Sequence, residues 1–398
     1  MRIRSTTEED LDVFLDTLHT AFGVFRGAPD EDGGGVWWAA IEMDRNLLAV
    51  ADDGRPVGTA AAYSFELTLP GRVVVPAAGV SGVGVVPSHR RRGVLTAMMR
   101  RQLADFRARG ESLAVLLASD ALIYRRFGYG PATYTQRLTV PRHKGDLAVP
   151  GAAGPVEVLR RADCVDVLEQ VYDRYRRALP GALARPHRWW ALGAGKPPIA
   201  RTPRYVAVHR DAAGVPDGYA SYSIDSGTLT VDEVVTADDA GFTALARFAL
   251  GHDLVTEVVF QQVPPGHPLR WQLSDFRAAE VGDDTDWLWV RLLDVPRALT
   301  ARHWSADGEL VLDVDDPFLG ERTTYLLTVR DGRAGCAPTD RAPDLSLRID
   351  DLGSLYLGGT APSTLVRAGR VTAHHGTATT TADDLFRPDR APHCLQWF

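Results

Sequence analysis

The chain has 398 residues, a formal net charge of −7 and three scattered cysteines, Cys164, Cys336 and Cys394, a length that suggests two or three domains. A content of 45% hydrophobic and 24% charged residues excludes general disorder, and the cysteines offer neither metal-ligand spacing nor an even disulfide framework. The acidic balance speaks against nucleic acid, no apolar run approaches the ~20 residues of a membrane span, and the opening MRIRSTTEED speaks against a signal peptide, so a cytoplasmic protein is expected.

In chain order, a first strand leads to Ser5 and Glu8 at capping-box spacing, and Leu11, Phe14, Leu15, Leu18 and Phe22 recur at helical intervals. Residues 30–35, DEDGGG, read as a loop. Leu47 to Ala51 and Val57 to Phe65 flank a DDG turn and read as an antiparallel hairpin. Strands continue to Val86, with Gly82 and Gly84 marking a bulge. A helix follows from about Arg92 to Arg109, with Val94, Leu95, Met98, Met99, Leu103 and Phe106 in one stripe. Leu113 to Ala118 forms a strand, and a short helix opened by Ser119 and Asp120 stops at Gly128. Residues 1–142 thus read as one mixed α/β domain.

Residues 143–155 read as a linker. Beyond them YVAVHRDAAGVPDGYASYSID (205–225) aligns with LLAVADDGRPVGTAAAYSFE (47–66), each preceded by a helical segment and followed by a strand and a helix. Residues 143–290 are therefore expected to duplicate the first domain. From Arg291 the pattern changes to short strands flanked by helices and ends on HCLQWF, so 291–398 reads as a third domain.

The stretch VSGVGVVPSHRRRGVLTAMM (80–99) carries the chemistry. A strand enters a turn of Arg90, Arg91, Arg92 and Gly93, and a helix starts at once. Its unpaired N–H groups suit a pyrophosphate, Gly93 permits close backbone approach, and the arginines add charge-assisted contacts. Bulged strand backbone suits the amides of a pantetheine arm. Downstream, Tyr124 sits on a short helix where a phenol can protonate a leaving thiolate. In the second repeat the corresponding VVTADDAGFTAL (234–245) has Asp238 and Asp239 in place of arginines, so only the first repeat is expected to bind a pyrophosphate. His89, His374 and His375 show no metal-ligand partners, and no metal is expected.

Arg90-x-x-Gly93-x-Leu95 and Tyr124-x-x-x-Gly128-Tyr129 resemble the acetyl-CoA loop and tyrosine motif of the Gcn5-related N-acetyltransferase (GNAT) superfamily. With LWVRLLDVP and DLGSLYLGG, the whole chain is similar to the Enhanced intracellular survival (Eis) acetyltransferases. That resemblance implies two tandem GNAT-like domains, a sterol-carrier-protein-like C-terminal domain, and a homo-oligomer, often hexameric. It implies acetyl-CoA as co-substrate, held by Val83, Val85, Arg90, Arg91, Gly93 and Val94, with Ser119 added to the set. It makes Tyr124 the general acid and the terminal carboxylate of Phe398 the general base. The implied acceptor is an amine of an aminoglycoside or another polyamine, with Phe22, Trp190 and Asp286 matching the family's substrate pocket. A cleft for a polycation mixes aromatics with carboxylates, which adds Trp37, Trp38 and the C-terminal tail with Trp397, a tryptophan where family members can carry a glutamate. The alternatives are a peptide or protein lysine as acceptor, or a non-catalytic protein binding a lipid or drug.

Overall fold

The computed structural model describes residues 1–23, 40–151, 154–160, 163–192 and 205–398. In chain order its first strands are β1 (Arg2–Ser5), β2 (Leu47–Val50), β3 (Pro56–Leu69), β4 (Val73–Val85), β5 (Leu113–Leu117), β6 (Gly130–Pro131) and β7 (Tyr134–Pro141). Next come β8 (Val156–Arg160), β9 (Tyr205–Arg210), β10 (Pro216–Asp225), β11 (Thr228–Thr236), β12 (Glu257–Val263), β13 (Glu280–Asp286) and β14 (Leu288–Leu292). The third part contributes β15 (Gly308–Asp316), β16 (Glu321–Arg330), β17 (Arg333–Pro338), β18 (Leu345–Arg348) and β19 (Thr372–Ala373). They form three sheets, in the orders β1-β2-β3-β4-β5-β14-β6, β13-β7-β12-β11-β10-β9-β8 and β17-β16-β15-β18-β19. No described helix is long and apolar enough to cross a membrane, and no disulfide joins the three cysteines.

The local elements follow the sequence pattern closely. The helix Leu11–Phe22 buries Phe14, Leu15 and Leu18. The capping box, however, is made by Thr7 and Asp10 around the short 3-10 turn Glu8–Asp10 that leads into this helix, because Ser5 is occupied in β1 opposite Leu47. Phe22 lies outside the buried stripe and is 58% exposed. The helix Val94–Ala108 buries Val94, Met98, Met99, Leu103 and Phe106, as its apolar stripe requires.

Hydrogen bonding between the two halves does not respect the expected boundaries at 142 and 290. β14 pairs with β5 through Leu288↔Leu117 to Leu292↔Leu113, inside the first sheet. Reciprocally, β7 pairs with β12 and β13 in the second sheet, as in Leu138↔Phe260 and Leu138↔Val281. Each half thus completes the other's sheet beside the strand that runs parallel to its long central strand. On β14, Trp289 is buried in a core of the first half and Val290 in the large core that the first half shares with the third part. A fragment ending at residue 142 would lose β14 and expose the β5 edge. It is expected to show no cooperative thermal transition, whereas a fragment melting like the full chain would contradict the exchange.

Candidate active site

The site begins where two parallel strands part. β4 pairs with β5 only through Ala78↔Ala114, Gly79↔Val115 and Val80↔Leu116. Immediately beyond, the register with β3 slips from Ala61↔Ser81 to Thr59↔Gly84, leaving one extra residue on β4. Gly82 takes up this bulge at φ +52, and its carbonyl accepts from Thr59 Oγ1 at 2.9 Å. A bulge bends its strand and disrupts the ladder. With β3 on one edge, alternate N–H and C=O groups of Ser81 to Val85 face the edge β5 has left. Gly84 serves a second purpose: a Cβ there would lie 2.7 Å from Ala21 Cβ, so the helix Leu11–Phe22 rests directly on the strand.

The chain then turns into the helix Val94–Ala108. Arg91 and the N-cap Gly93 are both left-handed, at φ 61 and 80, a geometry that converges backbone N–H groups into an anion-binding concavity. The first helical bond runs from Ala97 N–H to the Gly93 carbonyl, 3.0 Å, so the N–H groups of Val94, Leu95 and Thr96 precede the ladder. A Cβ on Gly93 would meet nothing within 4 Å. Arg90 plays a different part from the one its spacing suggests. Its guanidinium donates to the Val85 carbonyl at 3.3 Å and to the Ala21 carbonyl at 2.8 Å, bracing the loop against the first helix. Arg91 and Arg92 stand exposed at the turn.

Tyr124 ends the short helix Ala121–Tyr124, whose start is capped by Asp120 accepting from Leu122 N–H. It is 7% exposed, packs with Ala78, Val80, Leu116 and Trp289, and meets Tyr129 edge-on at 6.3 Å. Burial pushes the Tyr124 hydroxyl up to about 12, the charge of Asp120 adds to this, and a hydrogen bond with Ser119 opposes it. The phenol therefore stays protonated at any ordinary pH, as a proton donor must. Ser119 stands with the tyrosine.

The C-terminal tail threads between the halves. The His393 N–H donates to the Pro180 carbonyl at 2.9 Å, Arg185 Nε to Gln396 Oε1 at 2.9 Å, and the Trp287 indole to the Gln396 carbonyl at 3.1 Å. Phe398 then packs edge-on to Phe65 at 4.9 Å, beside Gly79, where a Cβ would lie 3.3 Å from its ring. Gly79 and Val80 are consecutive, so Phe398 and Tyr124 reach the root of the splay from opposite faces of β4.

The other acceptor candidates are dispersed. Asp286, at the end of β13, accepts from the Trp289 indole at 2.5 Å and so joins the tyrosine cluster. Trp190 is 3% exposed and belongs to the second half's core, against Tyr172 at 5.4 Å and under the Arg185 guanidinium at 4.6 Å. It is not presented to a cleft. Its neighbour Trp189 meets Tyr63 at 4.9 Å and Phe65 at 5.6 Å, the aromatic cluster that receives Phe398. Sequence reasoning missed Trp189; on a helix, adjacent residues point about 100° apart, and here the two rings enter different cores. Trp397 is half-buried, Phe22 is exposed at its helix end, and Trp37 and Trp38 lie outside the described residues.

The second half repeats the break and sets a buried ion pair beside it. β11 runs parallel to β12 through Val231↔Phe260, and its register with β10 slips between Ser221↔Glu233 and Tyr222↔Val231. Arg185, fully buried, pairs there with Glu233 at 3.2 Å, which also accepts from the Tyr219 hydroxyl at 3.1 Å. Asp238 caps the helix Asp239–Leu250 by accepting from Gly241 N–H at 2.9 Å. An anion at this helix start would meet two carboxylates instead of free N–H groups.

Comparison with known proteins identifies both halves and the third part. Residues 2–132 and 181–292 match descriptions of an acetyltransferase (GNAT) domain, and residues 295–395 match a sterol carrier protein domain. The chain is 38% identical over 357 residues to an N-acetyltransferase Eis of Mycobacterium tuberculosis, covering 84% of this chain and 85% of that protein. It is 37% identical over 405 residues to an uncharacterized N-acetyltransferase of Streptomyces avermitilis, covering 98% of each. The crystal structure of Eis1 from Mycobacterium abscessus superposes with a TM-score of 0.87 at 32% identity and covers 100% of both chains. Gly93→Ala is expected to raise the KM for acetyl-CoA about tenfold while costing only about 1 kcal/mol of stability, the strain of a left-handed alanine. Steady-state kinetics beside a denaturant titration separate the two; an unchanged KM would remove this glycine from the anion site.

Proposed function

Because this chain belongs to the Eis family of N-acetyltransferases within the GNAT superfamily, and is an acetyl-CoA-dependent acetyltransferase, we propose that its acceptor is a primary amine of an aminoglycoside-like or other polyamine. The observation that carries the reading is the open splay of β4 and β5 beside a buried, protonated tyrosine. The pantetheine arm lies along Ser81 to Val85 and bonds the backbone of Val83 and Val85 as an added strand does. The pyrophosphate sits at Gly93, Val94, Leu95 and Thr96, with Arg91 and Arg92 at the turn and Arg90 holding the loop in shape. The same family footing supports a cytoplasmic, homo-oligomeric enzyme, hexameric by resemblance.

The carboxylate of Phe398 takes the proton of the incoming ammonium, and an apolar setting strengthens a carboxylate as a base. The amine attacks the thioester carbonyl, the C–S bond breaks, and Tyr124 hands its proton to the departing thiolate. A phenol held at about 12 is roughly 5 kcal/mol too weak an acid to protonate a free thiolate of pKa about 8.5. The proton therefore moves as the bond breaks, not before it. Asp286 and the net charge of −7 favour a cationic acceptor over an anionic one.

Thiol release from acetyl-CoA across tobramycin, spermidine, a lysine peptide and a simple monoamine tests this reading. Tobramycin and spermidine are expected to turn over fastest; exclusive use of the peptide would make the acceptor a protein lysine. Tyr124→Phe is expected to lower kcat about 100-fold with acetyl-CoA affinity within about twofold. A chain extended beyond Phe398 is expected to lose most of its turnover, and full activity would remove the carboxylate from the mechanism. Since the Tyr124 hydroxyl is raised, its acid form persists at high pH. The kcat profile of the native enzyme should show no falling limb from this group below about pH 11.

A further inference from the structure

The helix that carries Tyr124 is held from the third part of the chain. Arg125 follows the tyrosine directly, donating Nε to Asp350 Oδ2 and Nη2 to Asp351 Oδ1, both at 3.1 Å. These two carboxylates lie in the first turn of the helix Ile349–Tyr356 and are 1% and 0% exposed. Arg370 bridges the same pair at 2.6 and 2.9 Å, and Arg348 reaches Asp350 at 2.9 Å. On the other side of the segment, the buried Arg291 donates to the Phe127 carbonyl at 2.6 Å and to Asp316 at 2.6 Å. Two glycines make room for this grip. A Cβ on Gly128 would fall 1.5 Å from Arg291 Nη1, and one on Gly130 would fall 1.8 Å from the Asp350 carbonyl oxygen.

Two adjacent buried carboxylates are an expensive way to join domains. Burial holds the Asp351 carboxyl above its ordinary range, with the Asp350 charge adding and Arg370 and Arg125 opposing. One of its oxygens, Oδ2, has no hydrogen-bond partner among the described residues. Apolar side chains of similar volume would pack these surfaces without that cost. What a carboxylate pair supplies and an apolar pair does not is direction, because the guanidinium fork fixes both the position and the plane of Arg125.

We infer that Asp350 and Asp351 are positioning residues for Tyr124, acting through Arg125, so that the third part of the chain aims the proton donor of the first. The inference rests on the reading of Tyr124 as general acid. It assigns the C-terminal region a role in turnover beyond supplying the terminal carboxylate.

A double-mutant cycle in kcat on the full chain tests it. Asp351→Asn is expected to lower kcat about tenfold with the acetyl-CoA KM within about twofold, and to cost nothing further in a Tyr124→Phe background. Arg125→Lys keeps the charge but loses the fork, at a side chain already 35% exposed, so it serves if Asp351→Asn does not fold. It is expected to lower kcat severalfold with the same dependence on Tyr124. Equal losses in both backgrounds, or a change in KM alone, overturn the positioning role and leave the tyrosine in place. A Tyr124→Phe enzyme with full turnover overturns both the general acid and the clamp that aims it.

Discussion

Parallel pairing of β4 with β5 cannot continue past Val80↔Leu116, because β4 carries one residue more than β3 can match. That mismatch is the constraint on which the site depends. It bends the strand, leaves a row of backbone groups facing an empty edge, and opens the sheet where Tyr124 and Phe398 approach from its two faces. The glycines that permit it act differently. Gly82 adopts the left-handed conformation of the bulge, and Gly84 lets a helix lie on the bent strand.

The second half has the same break in different company. Its parallel pairing also ends early, but the Arg185–Glu233 pair, Tyr219, Tyr172 and Trp190 occupy the ground beside it. Asp238 satisfies its own helix start. The chain thus holds one fold twice, once with an uncapped helix start and once with an aspartate cap. The capped copy still serves the other: it lends β14 to the first sheet, Trp189 to the wall around Phe398, and the Arg185 and Pro180 contacts that pin the tail. This mutual dependence binds the three parts into one catalytic unit.

Much of this was legible in the residues. The helical stripe from Val94 to Phe106, the hairpin at 47–65, the bulge glycines, the helix stop at Gly128 and the acidic replacement at 238–239 each express a local rule. The features that escaped are those in which distant segments meet. β7 and β14 are short amphipathic or apolar strands that would suit either sheet, and only the three-dimensional pairing decides. Trp190 and Trp189 differ by one position, yet they line different cores. Arg125 and its carboxylates are 225 and 226 residues apart. The sequence does carry a trace of that clamp, since Asp350 and Asp351 are the only charges on a helix that is otherwise Ile, Leu, Gly, Ser and Tyr.

The asymmetry between the two halves is most directly tested by calorimetric titration of the full chain with CoA. A helix start with free N–H groups in the first half and an aspartate-capped one in the second predict one CoA bound per chain. Two equivalents per chain, or one equivalent that survives an Asp/Glu charge reversal of both Arg91 and Arg92 with unchanged affinity, would contradict the account.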